Sequence, residues 1–441
     1  MERLAKLRAH LAAAGADVSD PHAAGVGAAA AAGAELLSPA LQVVERAVAQ
    51  QRIPGASIAV MRRGELVASA GFGTRDPGAS DPPPFEGDSI CYIASLTKPF
   101  TAAAGMLLVQ RGDLGLDDLV SDHLPDFADV QTEDGRAAGH LLTVRDLMCH
   151  RSGLGRAFPA DLRPSPFFTQ AWFSESLESV VAGISKLPLA FLPREDVAYS
   201  NTAWYVLARI VELRTGDHFG DFVRREIFGR LGMEDTGFGL PAAKVGRTAV
   251  CYSAGAPTIA GVRAEGSDDD DALSLVSKYD SSWDVQVPKA ALECSESQGS
   301  RTNTPGGHGH SRQMCMPDGG LWASAPDIAR WASAFLDVPD GGGGLLAADT
   351  VAEMLTQQSY GPVGPDSADG AQQLRGIGLG WHLDLPNQFT HWGFTGTLVW
   401  GDRRSGVVGV MFAQWAVHPS VLAEIHTEFR DAVTAAYADE A

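Results

Sequence analysis

Long apolar runs are missing from this chain. None approaches the roughly 18 consecutive apolar residues that a membrane-spanning helix needs, so a membrane protein is not expected. Positive charge is scarce as well: 34 basic side chains face 54 acidic ones, for a formal net charge of -20. Such a surface repels phosphate backbones and anionic lipid, and no Lys/Arg run offers a local exception, which argues against nucleic acid and membrane surfaces as partners. Cysteine is sparse and odd in number. Cys91, Cys149, Cys251, Cys294 and Cys315 are widely scattered, the pattern of reduced thiols and not of a disulfide framework. The Ala-rich start does not read as a secretory signal, because Glu2, Lys6, Arg8, His10, Asp17 and Asp20 lie among its apolar residues. A cytoplasmic location is the expectation that follows.

What is present is the balance of a soluble globular protein, with 45% hydrophobic and 20% charged residues. Residues 1–37 are expected to be a disordered Ala-rich leader to one domain over 38–441. Ser38-Pro39 reads as an N-cap with Pro in the first turn, and Leu41, Val44 and Val48 follow on one helical face up to Pro54-Gly55. Two β-like runs, Ala56 to Met61 and Leu66 to Phe72, are joined by Arg62-Arg63-Gly64-Glu65. The middle is helical, with helices predicted over Phe100 to Gln110, Tyr205 to Leu213 and Phe219 to Leu231. Strands return at Thr397 to Trp400 and Val407 to Phe412, and a last helix after Pro419 carries Val421, Ile425, Phe429 and Val433 on one stripe. The fold class expected is therefore α+β, an antiparallel sheet built from both chain ends with a helical region inserted. Ala254 to Pro317, with its aspartate run at 268–271, reads as a polar surface insertion, and Tyr360 to Gln373 as a second flexible loop.

The sharpest chemical signal is Ser95-Leu96-Thr97-Lys98 ahead of the Phe100 helix. A serine at a helix start has its hydroxyl near unpaired backbone N–H groups and the positive end of the dipole. Lys98, one turn on, shares its face. A serine hydroxyl needs a neighbouring base to become a nucleophile, and lysine serves only when burial or a nearby cation favours its neutral form. A capping serine followed by a solvated lysine would leave the same trace, so context has to decide.

That context recurs along the chain. Ile93 to Ala102 resembles the nucleophile segment of the β-lactamase-related family, which holds class C β-lactamases, D-alanyl-D-alanine carboxypeptidases and family VIII esterases. Thr143 to Leu154 is similar to the family's segment ending in H-x-S-G-L, and Tyr199-Ser200-Asn201 to its Y-x-N element. Gly319-Gly320-Leu321 and His391-Trp392-Gly393 resemble the G-G-L run and the third motif, H/K-x-G. The resemblance covers about 41–437. It implies a β-lactamase/penicillin-binding-protein-like fold and an acyl-enzyme on Ser95, with Lys98 or Tyr199 taking the proton. It also implies an oxyanion hole from the backbone N–H groups of Ser95 and Phe394, after Gly393, with Asn201 orienting substrate or Lys98. His391 would stand where many β-lactamases place a lysine for the substrate carboxylate. His150 reads as structural, and Trp392 as making the substrate channel narrower or more aromatic. His308, His310, Cys294 and Cys315 match no zinc spacing, and no metal or cofactor is implied. The expected function is a serine hydrolase, an esterase of small acyl esters. The alternatives are an amide or peptide hydrolase (D-aminopeptidase or β-lactamase-like), an acyltransferase, or a non-catalytic scaffold.

Overall fold

Gly55–Arg62 (β1) is buried along its length up to Arg62, as a strand covered on both faces must be. It lies one strand in from the edge of an eight-stranded sheet in a computed structural model that describes residues 36–155, 176–253, 315–336, 344–366, 372–384, 387–416 and 419–437. On one side β1 pairs antiparallel with Glu65–Gly73 (β2) across the Arg63-Gly64 turn. On the other it pairs with a strand from the far end of the chain, Ser57 facing Phe412 and Arg62 facing Val407. The remaining strands are Ser359–Asp366 (β6), Gln372–Ile377 (β7), His382–Leu383 (β8), Gln388–Gly393 (β9), Thr397–Asp402 (β10) and Val407–Phe412 (β11). Their order is β2-β1-β11-β10-β9-β8-β7-β6. Two small sheets join Ile90–Tyr92 (β3) to Trp322–Ser324 (β5), and Tyr252–Ser253 (β4) to Trp415–Ala416 (β12).

Side-chain alternation along the strands divides the core in two. Ile58, Val60, Leu398, Trp400 and Met411 meet the terminal helices Ser38–Ala49 (α1) and Pro419–Ala436 (α6) through Leu41, Val44, Phe429 and Val433. Each such side chain contributes about 1.5–3 kcal/mol of hydrophobic stabilisation. The opposite face, with Ala59, Val408, Val410, Val399 and Phe389, meets the inserted helical region. There Lys98–Arg111 (α2) is buried from Lys98 through Leu108, packed against Thr202–Thr215 (α4). Val144–Met148 (α3), with a Thr143/Asp146 capping box, and Ala325–Ser333 (α5) complete the elements around the site. The α+β sandwich with both chain ends in one antiparallel sheet is thus observed. Among the described residues no helix is long and apolar enough to cross a membrane.

Three boundaries differ from those expected. Tyr360 to Gln373 is not simply a loop: β6 and β7 pair with Ser359 opposite Ile377 and Tyr360 opposite Gly376. Its Gly-, Pro- and Asp-rich sequence has no apolar alternation, and the existing sheet edge at β8 supplies the pairing partner instead. Leu37, assigned to the leader, is fully buried at the start of α1, while residues 1–35 lie outside the described residues. The helix begins at Ser38 with Leu37 as its N-cap, so Ser38 caps nothing. Cys315 and Met316, at the end of the expected insertion, are core residues, and 254–314 lie outside the described residues.

Candidate active site

The segment before Ser95 is held by polar side chains from distant parts of the chain. Gln414 grips Tyr92 on both sides, its Oε1 accepting the backbone N–H at 3.2 Å and its Nε2 donating to the carbonyl at 2.8 Å. Thr395 Oγ1 donates to the same Tyr92 carbonyl at 2.7 Å, and Thr397 Oγ1 to the Ile93 carbonyl at 3.1 Å. Ala94 then takes a left-handed backbone conformation (φ +49°), an uncommon state for a residue with a Cβ and one that persists only where surrounding contacts enforce it. It opens the 3₁₀ turn Ala94–Thr97, which runs directly into α2. Gly393 of β9 lies flat against this turn. A Cβ there would overlap the Ile93 carbonyl oxygen and come within 2.5 Å of Thr397 Oγ1.

Lys98 is fully buried, and its ammonium has three donors to place. One goes to Ser95 Oγ at 2.9 Å and another to the Asp318 backbone carbonyl at 2.8 Å. Nζ also lies over the Tyr199 ring, 4.9 Å from its centroid. Tyr199 is positioned from α3. His150, at the end of the H-x-S-G-L segment's helix, has a left-handed φ of +59° that turns its ring toward the Y-x-N element. The His150 carbonyl accepts the Ala198 N–H at 3.0 Å, Nδ1 accepts the Ser200 N–H at 3.2 Å, and the ring lies 4.6 Å from that of Tyr199. His150 is structural, as its sequence position suggested. Asn201 precedes α4 directly, and its side chain makes no capping hydrogen bond.

His391 lies on β9 opposite Val399, on the sheet face toward the helical region, and is buried. Nδ1 donates to the Trp392 carbonyl at 2.9 Å. Burial, then the Lys98 charge, pushes its pKa down to about 3, so it is neutral throughout the physiological range. It cannot supply the weak cationic attraction expected of an ordinary histidine. The neighbouring His382 ring, 4.6 Å away, is also buried and held neutral, again mainly by burial. Trp392 differs from expectation too. It stacks on His382 at 4.4 Å, lies under the Arg375 guanidinium and packs with the terminal-helix core, as its cross-strand partner Leu398 does. Alternation along β9 puts it on the face away from His391, so it does not narrow a channel at Ser95.

These histidines make stability depend on pH with a definite sign. The folded pKa of His391 lies below its unfolded value of 6.5, so as pH falls the unfolded chain takes up the proton first and stability drops. Between pH 7.5 and pH 5 that amounts to about 2 kcal/mol from His391, with its folded pKa at about 3. Urea unfolding at pH 7.5 and pH 5 is expected to show a His391→Gln variant with a loss between the two pH values smaller by about that amount. Equal losses in variant and wild type would contradict the buried neutral state.

The structure thus brings Ser95, Lys98 and Tyr199 into contact range and sets Gly393 against the nucleophile turn, with Phe394 after it. Phe394 is 45% exposed, its ring 6.4 Å from Tyr92. Sequence reasoning missed Asp318, Gln414, Thr395, Thr397 and His382. Asp318 had one signal, its place just before Gly319-Gly320-Leu321; Gln414, Thr395 and Thr397 have their partners about three hundred residues away, and His382 meets His391 only through the pairing of β8 with β9. Cys315 is a core thiol against Gly220, its pKa raised by burial, while Cys294, His308 and His310 lie outside the described residues.

Comparison with known proteins identifies the family and the fold. Esterase EstB of Burkholderia gladioli is 29% identical over 402 residues, covering 88% of this chain and 89% of that protein. Among solved structures, EstCE1, described as a hydrolase with promiscuous acyltransferase activity, superposes with a TM-score of 0.69 at 20% identity, covering 91% of this chain and 99% of that one. A D-amino acid amidase from Ochrobactrum anthropi SV3 does so with a TM-score of 0.61 at 20% identity, again over 91% and 99%. At that identity the two structural likenesses speak to fold. The family model described as Beta-lactamase matches residues 41–430, so the chain belongs to the Beta-lactamase family and is a serine hydrolase of that fold.

Proposed function

We propose that the protein hydrolyses small, uncharged acyl esters through an acyl-enzyme on Ser95. The observation that carries the reading is the 2.9 Å hydrogen bond between Lys98 Nζ and Ser95 Oγ, deep in the fold and beside the Tyr199 ring. In the first half-reaction Ser95 Oγ bonds to the ester carbonyl carbon. Its proton passes to the Lys98–Tyr199 pair, and the developing oxyanion is met by the Ser95 and Phe394 N–H groups. The carbon–oxygen bond to the alcohol then breaks, and the pair returns the proton to the leaving alkoxide. Water repeats the sequence to release the acid and restore Ser95.

The preference for uncharged esters follows from His391. A neutral, buried imidazole at the third motif offers no positive charge to a β-lactam or peptide carboxylate. Similarity to Esterase EstB supports the ester reading, and similarity to EstCE1 supports transfer of the same acyl group to an added alcohol.

The test compares p-nitrophenyl butyrate, nitrocefin and D-phenylalanine amide, with peptide mapping of the acylated protein and product analysis in added ethanol. Expected are an adduct on the Ser95 peptide, ethyl butyrate when ethanol is present, and kcat/KM for the ester above that for nitrocefin by roughly 100-fold or more. That is the scale for a missing charge-assisted contact of a few kcal/mol. Nitrocefin turned over as readily as the ester would overturn the preference, and an adduct elsewhere would overturn the nucleophile.

A further inference from the structure

The acyl-enzyme reading leaves a buried carboxyl beside Lys98 without a task. Asp318 is in the turn that follows Pro317 and precedes Gly319-Gly320. Its backbone oxygen accepts the Lys98 ammonium at 2.8 Å, and Pro317, one residue earlier, accepts Thr101 Oγ1 at 2.6 Å. These two bonds tie the turn along the first coil of α2, so Asp318 cannot move without moving Lys98. Its side chain is buried too: the Tyr205 phenol hydrogen-bonds the carboxyl, while Oδ1 is sealed from solvent without a partner of its own. A carboxyl in such a setting is costly unless a charge balances it. As a plain turn former it would need no such burial, and a small apolar residue would fill the place without that cost.

We propose that the Asp318 carboxylate is the counter-charge of the Lys98 ammonium, a positioning residue that sets the protonation state from which Ser95, Lys98 and Tyr199 begin the reaction. This rests on the acyl-enzyme reading above. The groups facing the carboxyl are Lys98 from α2, Tyr205 from α4 and Tyr92 at the end of β3. Those facing Lys98 from the other side are Tyr199, His382 and His391, and both imidazoles are held neutral. Burial pushes the Asp318 carboxyl up from its ordinary value, and the Lys98 charge is the chief influence opposing it. Asp318 thus brings a carboxyl to this group of two phenols near it, a third phenol at Tyr199 and two neutral imidazoles. The ammonium and the carboxylate each offset the burial of the other.

The sign of the consequence does not depend on which group accepts the serine proton. A negative charge below the site resists loss of a proton from the Lys98 ammonium, and equally resists formation of a Tyr199 phenolate. Removing it eases both. The acid limb of the kcat/KM profile, which reports loss of that proton in the free enzyme, moves to lower pH.

Asp318→Asn keeps the shape and removes the charge. With p-nitrophenyl butyrate and the intact wild type as reference, its acid limb is expected to lie at least about one pH unit lower, a tenfold change in proton affinity at the site. Asp318→Ala, which only deletes atoms, is the second variant should Asn fail to fold, and the same shift is expected. Thermal unfolding of each variant is measured alongside, because a purely structural aspartate would lower the melting temperature and leave the limb where it was. A limb that stays put, or moves to higher pH, in a folded variant overturns the proposal alone. A wild type without turnover or adduct overturns the acyl-enzyme reading and this inference with it.

Discussion

Ser95→Ala is expected to lower ester kcat by roughly 10,000-fold or more, and Lys98→Met to lower it nearly as far, with the double variant scarcely worse than either. The reason is the single hydrogen-bonded unit they form. Ser95 Oγ supplies the electron pair, and Lys98 Nζ, 2.9 Å away, is the polar group in contact with it. Without the hydroxyl there is nothing for the proton acceptor to activate; without the ammonium the hydroxyl loses its partner and Tyr199 loses the charge above its ring. Steps taken by one unit do not add, so the double variant exposes the coupling. Methionine suits the position because the stem of Lys98 is packed on all sides and the substitution keeps its apolar volume. Single-turnover kinetics and detection of the acyl adduct check the result, with circular dichroism to verify folding. Fully additive losses would show that Ser95 and Lys98 act in separate steps.

Gly393→Ala is the second large effect expected, a fall in kcat on the order of 100- to 1,000-fold with KM little changed. The added methyl meets backbone and not a yielding side-chain tip: it would overlap the Ile93 carbonyl oxygen, press on Thr397 Oγ1 within 2.5 Å and reach Ala94 Cβ at 3.2 Å. Either β9 withdraws or the left-handed turn at Ala94 is pushed aside, and the Thr397–Ile93 hydrogen bond lies in the same overlap. Both responses change the distance between the Ser95 and Phe394 N–H groups, the two proposed oxyanion donors. Loss of one such donor costs that much because its partner charge exists only in the transition state. Substrate binding in the ground state does not use it, which is why KM is spared. The measurement is steady-state kinetics on p-nitrophenyl butyrate beside a thermal melt. A variant with wild-type kcat would mean that β9 does not position a donor, and a KM rise at constant kcat would move Gly393 to substrate binding.

The local chemistry was legible in the sequence wherever neighbours along the chain carry it. Ser95 and Lys98 share a face because a helix repeats every 3.6 residues, and the 3₁₀-to-α start at Ala94–Lys98 delivers that contact. The helix and strand runs at 38–49, 55–73, 98–111 and 397–412 follow from apolar periodicity and turn residues of the kind the sequence displays openly. His150 could be read as a structural residue because the turn it holds is adjacent to it.

Tertiary structure alone decided the rest, and the physical reason is distance along the chain. Whether His391 could be a cation depended on how completely the β9 neighbourhood is sealed, a property of packing that sequence spacing does not carry. Trp392 turned to the terminal-helix face because strand alternation is counted from its neighbours' register, and that register is set by pairing with β10. Tyr360 to Ile377 pairs as a hairpin because a sheet edge was there to receive it, not because its own residues favour strands. Gln414, Thr395 and Thr397 hold the nucleophile turn across more than three hundred residues, and Asp318 reaches Lys98 across two hundred and twenty. Hydrogen bonds of that kind leave no periodic trace in a sequence. They exist only once segments distant in the chain have packed together.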